Sequence, residues 1–375
     1  MKALFLIFHG FDEANGISKK IQYQVEALKE CGLEVHTCWL DDTNNHKRRM
    51  IDNDILQDYG NGFKGKILKR AGLGCIHRYC VQNKVELVYA RSDHNTTPFL
   101  IHLYRRLQQQ GIKVVMEIPT YPYDQEYKGL PFAYQRILLM DKCLRKLMAR
   151  YINKIVTFSA DKTIFNRPTI RIANGINFNA IPLKKDLPIS YSKDELHLIA
   201  IATIHPWHGF DRAITGLANY YKSSSATTAN IILHIVGQGV PKVIERYHEL
   251  VNENNLHTKV LFHGPLFGEA LNEIFNQCQI GIGSLARHRS GITHLRSLKN
   301  REYAARGIPF VYSEIDDDFE QMPYILKIPA DETPLNINQV IQFRQSVSLT
   351  PEEIRNSIEQ TLSWKVQMEH VIKNV

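Results

Sequence analysis

The chain has 375 residues, 44% hydrophobic and 22% charged, a globular balance whose length suggests two domains of roughly 150 to 200 residues. Its first apolar run, Ala3 to Phe8, falls far short of the roughly 20 residues that span a bilayer, and no small-residue cleavage pattern follows, so the expected location is cytoplasmic. The formal charge of +8 is uneven: residues 1–180 hold 27 Lys and Arg against 17 Asp and Glu, a field that attracts phosphates, anionic lipid or nucleic acid without separating them.

Short apolar runs mark strands in chain order: Ala3 to Phe8, Val35 to Leu40, Leu87 to Ala90, Val114 to Ile118 and Ile155 to Phe158. A second series follows with Leu198 to Thr203, Ile231 to Val236, Val260 to Phe262, Ile280 to Ser284 and Ile308 to Tyr312. Helical patterns lie between most of them; Ile21, Val25 and Leu28 recur at helical spacing, and Gly32 follows as a stop. Such alternation predicts parallel sheets with helices on both faces. The rhythm stalls between Ile181 and Glu195, where Pro182 and Pro188 sit among charges. The expected division is a Rossmann-like domain over 1–180, a linker over 181–195, a second Rossmann-like domain over 196–348, and a terminal helix over 349–375 that packs back toward the first domain. Thr350 and Glu353 would open that helix as a capping box.

In the first half, Arg91, Asp93 and His94 follow one strand, and Glu117, Tyr121, Tyr123 and Asp124 follow the next. Polar groups and rings at strand ends suit a sugar, which makes Arg91, His94, Glu117 and Asp124 candidate acceptor-binding residues; Arg91 and Glu117 also fit a core ion pair. The basic stretches NHKRRM, FKGKILKR and Arg136 to Ile155 fit either an anionic membrane surface or solvated faces. Six cysteines form no Cys-x-x-Cys pair, and scattered buried thiols account for them without a metal site.

In the second half, SLKNREYAARGIPFVY, residues 297–312, places three cations and a carboxylate at the mouth of a strand. Ser297 is a helix N-cap and Gly307 a stop, so Lys299 and the first-turn amides suit a phosphate. Glu302 lies one turn on, where it fits either a ribose or an intrahelical ion pair. Arg287, His288 and Arg289 form a basic loop after the preceding strand, as an anion site would require. Asp316 and Asp318 in SEIDDDFE read as a solvated acidic turn rather than a metal-bridging pair.

The segment SLKNREYAARGIPFV resembles the nucleotide-sugar signature of GT-B glycosyltransferases, especially the retaining family 4 type. NGISKKIQYQVEALKECGLEV resembles that family's N-terminal loop and helix, IANGINF its crossover turn, HIVGQG its Val-Gly-x-Gly strand end, and VLFHG its Val-x-Phe-x-Gly strand. The ordered series covers nearly the whole chain. It implies an α/β GT-B fold, two Rossmann-like doubly wound domains facing a cleft. It also implies donor contacts at Glu302 (ribose), Lys299 (diphosphate), Ser297, Gly16, His208 and Gly237. Where the family carries a Gly-Arg and Lys-Gly pair, this chain has Thr203 and His208, so His208, Arg289 and Lys299 are expected to meet the phosphate charge, with Arg287 in reserve. Where the family has a glutamate eight positions before the ribose glutamate, this chain has His294. The catalytic candidates are Lys299, Arg289 and His294.

The implied function is transfer of a sugar from a UDP- or GDP-linked donor to a saccharide or lipid-linked saccharide, with retention and without cofactor or metal, in surface glycan biosynthesis. Peripheral contact with an anionic membrane through the basic first domain is expected, and no nucleic acid, since no binding module for it is present. A nucleotide-sugar epimerase and a non-catalytic sugar- or lipid-binding protein are the alternatives.

Overall fold

The computed structural model describes residues 1–11, 16–127, 131–185, 195–223 and 229–375. The chain forms two compact units, residues 1–173 with 364–375, and residues 174–363. The expected first boundary at 180 moves to 173, and residues 186–194 of the expected linker lie outside the described residues.

The first unit is built from β1 (Lys2–Leu6), α1 (Gly16–Glu30), β2 (Glu34–Asp41), β3 (His46–Ile51), β4 (Asp54–Asn61), α2 (Gly62–Ala71), α3 (Gly74–Gln82), β5 (Leu87–Arg91), α4 (Pro98–Gln109), β6 (Lys113–Ile118), α5 (Phe132–Ala149), β7 (Lys154–Thr157), β8 (Thr163–Ile164) and β9 (Arg167–Arg171). They make one sheet in the order β4-β3-β2-β1-β5-β6-β7-β9-β8. Pairing is parallel except where β3 runs against β2 and β4, and β8 against β9. The β3–β4 hairpin escapes the apolar-run reading because its buried side chains include Lys47 and Arg49, both 1% exposed. NHKRRM is therefore an inward-facing strand in part, and not a basic surface patch.

One core lies under α3, α4 and α5, with Leu4, Val88, Leu103, Leu107, Leu138 and Met148 in it. The opposite core holds Ile21, Val25 and Leu28 of α1. Gly32 ends α1 with φ +84°, as the stop signal predicts.

The second unit follows with β10 (Glu195–Ile201), α6 (Phe210–Ser223), β11 (Asn230–Val236), α7 (Pro241–Glu253), β12 (Val260–Gly264), α8 (Gly268–Gln277), β13 (Ile280–Ile282), α9 (Leu298–Ala305), β14 (Phe310–Tyr312), β15 (Ile325–Lys327), α10 (Ile337–Ser346) and α11 (Pro351–Leu362). Its sheet is wholly parallel, in the order β12-β11-β10-β13-β14-β15. The order reverses direction at β10, which creates a switch point between β10 and β13 where loops leave in opposite senses.

The terminal segment is two helices. Thr350 opens α11 with the expected capping box, its Oγ accepting from Glu353 N at 3.2 Å while its own N–H donates to Glu353 Oε2 at 2.8 Å. After Ser363 the chain returns to the first unit as α12 (Trp364–Lys373), whose Trp364, Met368 and Val371 join the α1 core. Gln367 Oε1 accepts from Ala173 N at 2.7 Å, so α12 also holds the end of the first unit's sheet. Trp364→Ala should cost about 3 to 5 kcal/mol, read as a loss of stability in urea denaturation; an unchanged midpoint would show that α12 merely rests on the first unit.

Candidate donor-binding site in the second unit

The switch point is bridged by one side chain. Tyr303 of α9 is fully buried, and its hydroxyl donates to Ile282 O at 2.9 Å while lying 3.4 Å from Ile201 N, bridging the ends of β13 and β10. The strand beneath it must be bare: a Cβ on Gly281 would lie 2.6 Å from the Tyr303 ring. On the other side of β10, Gly237 adopts φ +130°, and a Cβ there would sit 1.9 Å from Ala202 O. Its visible role is thus to let the ends of β10 and β11 approach.

The loops after β10 and β13 are tied together. His208 O accepts from Leu285 N at 2.9 Å, and His208 Nδ1 accepts from His205 N at 3.0 Å. Burial drives the His208 pKa down to about 2, reinforced by the nearby Lys299 and Arg287 cations, so this imidazole stays neutral. His208 braces the loop as a neutral group and brings no positive charge to the site. Trp207 stacks on His205 at 4.2 Å, and the Arg287 guanidinium lies 5.7 Å from the Trp207 ring.

Helix α9 carries the charged core of the site. Ser297 occupies its N-cap position, yet its hydroxyl makes no cap hydrogen bond, which leaves the first-turn amides available to an anion. Lys299 is partly exposed as a residue, but its ammonium is enclosed and donates to Ser284 Oγ at 3.3 Å. Burial lowers its pKa to about 7, with Arg287 adding to the shift and the Glu314 carboxylate opposing it. Glu314, just beyond β14, is 1% exposed, and neither carboxylate oxygen has a hydrogen-bond partner. Burial raises its pKa against the pull of Lys299 and Arg287. The Nε of Arg287 is likewise buried without a partner, and burial lowers its pKa. Three ionisable groups are thus enclosed around one point with hydrogen-bonding capacity unused. A closed structural network would have satisfied them.

Glu302 is partly exposed, and its Oε1 accepts from both Nε and an Nη of Arg306, each at 3.0 Å. Arg306 is itself fixed over the Phe275 ring at 4.0 Å and donates to Asn272 at 2.9 Å. The intrahelical pair is present, and it aims the carboxylate while leaving Oε2 for a second donor. The third cation, Arg301, turns inward: it is fully buried, donates to Asp316 at 2.9 and 3.2 Å, and also binds Asp318, Ser297 O and Asn174 O. SEIDDDFE is therefore the buried counter-charge of Arg301, not a solvated turn.

The remaining expected residues lie elsewhere. Arg289 is taken up by Asp211 and Glu332, at 2.8 Å for the former, which raises its pKa through their hydrogen bonds. His294 is exposed and lies 3.1 Å from Thr293 Oγ. In the first unit, Gly16 is the first residue of α1, and residues 12–15 before it lie outside the described residues. Arg91 and Glu117 form a core cluster in which Glu117 also accepts from Tyr89 at 2.7 Å and Gln24 at 2.6 Å, with Lys20 at 3.8 Å. Burial works to raise the Glu117 pKa, and Lys20 and Arg91 overcome it, so the group stays ionised. Asp124 is paired with Arg145 and Lys142. His94 stacks on Tyr123 at 3.9 Å with its Nε2 unpartnered. Sequence reasoning missed Glu314 and Tyr303; the Glu-Tyr pair inside the helix motif was the available signal for the tyrosine.

No protein-family model matches this chain, and no curated protein resembles it in sequence. Solved structures do. HepE of Anabaena, crystallised with UDP, aligns over 100% of this chain and 99% of its own, at 16% identity and a TM-score of 0.64. Sucrose-phosphate synthase from Thermosynechococcus elongatus covers 100% and 98%, at 14% identity and 0.66. The lipopolysaccharide outer core galactosyltransferase WaaB covers 100% of both chains, at 11% identity and 0.59. The chain has the α/β GT-B fold.

Burial raises the Glu314 pKa despite the nearby Lys299 and Arg287, so the fold disfavours the charged carboxylate, and Glu314→Gln should stabilise the unliganded protein more at pH 8 than at pH 5. Because the folded pKa lies above the ordinary 4.5, the native penalty appears as pH rises through the folded value, and the gain should shrink toward pH 5. Urea denaturation at the two pH values checks it; a destabilised variant at pH 8 would mean that Glu314 is a net structural asset.

Proposed function

We propose that this protein is a glycosyltransferase that moves a sugar from a nucleotide-diphosphate sugar to a saccharide or lipid-linked saccharide. The observation that carries the reading is the placement of Lys299 and Glu302 on one short helix whose uncapped N-terminus lies at the strand-end switch point of the second unit. Two of the similar structures add support: HepE has been crystallised with UDP-glucose as well as with UDP.

In this reading the diphosphate is met by the α9 amides, Arg287 and Lys299, whose side chains are already enclosed, so charge on them acts at short range in a low dielectric. The free oxygen of Glu302 accepts from the ribose hydroxyls. Arg287 takes the phosphate role expected of Arg289, whose guanidinium is already occupied. These protein cations supply the leaving-group charge without requiring a metal. The departing phosphate oxygen takes the acceptor proton on the face that the new bond forms, giving retention, and the protein chiefly positions both substrates. The donor is UDP- or GDP-linked, and the product belongs to a surface glycan.

Binding a diphosphate should return the proton that burial removes from Lys299. Calorimetry with UDP and GDP at pH 8, in two buffers of different ionisation enthalpy, should therefore show uptake of about one proton per nucleotide bound, absent in Lys299→Met. Glu302→Ala should weaken the preferred nucleotide by about 1 to 3 kcal/mol. Failure of both nucleotides to bind would remove the glycosyltransferase reading.

Membrane contact is supported by the first unit's helix layer. Phe63, Phe99 and Phe132 are 78%, 51% and 76% exposed, and each lies in the first turn of α2, α4 or α5. Helix α4 packs against both of its neighbours, and all three helices start at the strand carboxyl ends, so the rings share one rim. Exposed Leu139 and Leu147 of α5 alternate with Arg136, Lys142 and Lys146 on the same layer. Aromatic rings that insert and cations that meet anionic headgroups make a peripheral contact. No described helix is long and apolar enough to cross a membrane. The triple substitution of Phe63, Phe99 and Phe132 by Ser should cut sedimentation with phosphatidylglycerol vesicles at least tenfold; equal binding of native and variant protein would place the contact elsewhere.

A further inference from the structure

The first unit has a switch point of its own. Its sheet order reverses at β1, so loops leave β1 and β5 in opposite senses, and a pocket of about 50 Å³ opens there. The polar lining is Arg49, Lys69, Arg70, Asp93, Asn95 and Thr97.

Arg49 is the anomaly. Seven lysines and arginines are buried among the described residues: Lys20, Lys47, Arg49, Arg91, Arg212, Arg301 and Arg306. Six of them face a carboxylate within 4 Å: Glu117 for Lys20 and Arg91, Asp42 for Lys47, Asp331 for Arg212, Asp316 for Arg301 and Glu302 for Arg306. Arg49, 1% exposed, faces none among the described residues. It donates to Ile7 O at 2.9 Å, and its Nε is buried without a partner. A buried cation without a counter-charge is among the costliest arrangements in a fold, and it persists where an anion is supplied from outside.

The surroundings agree. Arg70 adds an exposed guanidinium at the mouth, and Lys69 is balanced by Asp42 at 3.0 Å. Asp93 offsets one charge and Asp42 is shared between Lys69 and Lys47, so the pocket keeps a positive surplus. Asn95 is 7% exposed, and its Oδ1 has no partner, so it can accept a hydrogen bond from whatever occupies the pocket. A carboxylate has no donor for that oxygen, whereas a monoprotonated phosphate does.

We infer that this pocket binds a phosphate group of the acceptor, held by Arg49 and Arg70, with Asn95 accepting from its hydroxyl. The inference rests on the glycosyltransferase reading for the word acceptor, and on the first unit alone for the phosphate. The phosphate can belong to a lipid or to a sugar; both present the same dianion or monoanion to a guanidinium fork.

The test is calorimetric titration of the full chain carrying Lys299→Met, so that the second unit's site is silent, with inorganic phosphate, glucose 1-phosphate and geranyl phosphate. Glucose and geraniol serve as uncharged controls. At least one phosphate ester is expected to bind ten times more tightly than its uncharged parent, and the better ester tells sugar from lipid. Arg70→Ala should weaken it at least tenfold. Arg49→Met should abolish it without lowering the melting temperature, because the variant removes a charge that the empty pocket leaves unpaired. The inference is overturned if no phosphate binds while UDP or GDP still binds the protein with Lys299 intact. It is also overturned if Arg49→Met lowers the melting temperature and leaves phosphate affinity unchanged. Loss of nucleotide binding with phosphate binding retained would instead count against the glycosyltransferase reading.

Discussion

The second unit depends on a guanidinium that never reaches solvent. Arg301 is fully buried, and its ion pair with Asp316 joins α9 to the loop that leaves β14. Further bonds to Ser297 O and Asn174 O hold both the start of α9 and the start of the unit. A buried pair of this kind adds little net stability against an apolar equivalent, but breaking it leaves a charge stranded, so it acts as a register pin. Because α9 is short, pinning Arg301 also places Lys299, Glu302 and Tyr303 within a turn of it.

From that pin the site follows by packing. Tyr303 bridges the ends of β10 and β13, and Gly281 beneath it allows the ring to enter. Lys299 then lies beside Ser284, and Glu314 arrives from β14 without donors of its own. The two units handle buried charge differently. Around Glu117 the first unit gathers Arg91, Lys20, Tyr89 and Gln24, so the carboxylate itself is fully met, with Gln24 Oε1 left over. Around Glu314, and around Arg49 in its own pocket, charges are enclosed without completion. Completed networks hold a fold; incomplete ones store a preference for something not yet bound.

Much of the fold was legible because fully buried parallel strands read as unbroken apolar runs. All ten runs appear as strands, and Gly32 and the Thr350–Glu353 box end and begin helices where they should. The β3–β4 hairpin was not legible, since Lys47 and Arg49 point inward and make a buried strand look like a basic patch. The site was legible in part. Lys299 and Glu302 are near neighbours on one helix, so local spacing brought them forward together. Arg289 was preferred over Arg287 in sequence, yet Asp211 and Glu332 neutralise Arg289 while the Nε of Arg287 stays buried without a partner.

By itself, the sequence determined what depends on neighbours within a turn or a strand: which segments are buried, where helices start and stop, and that α9 would carry a cation and a carboxylate at a strand mouth. Tertiary structure alone decided which charge meets which. Of the three cations between residues 299 and 306, Arg306 pairs along its helix with Glu302, Arg301 crosses to Asp316, and Lys299 comes to lie near Glu314 without an ion pair, because strand order sets which loops reach α9. Proximity along the chain fixes a side chain's direction, but its counter-charge is chosen by the sheet.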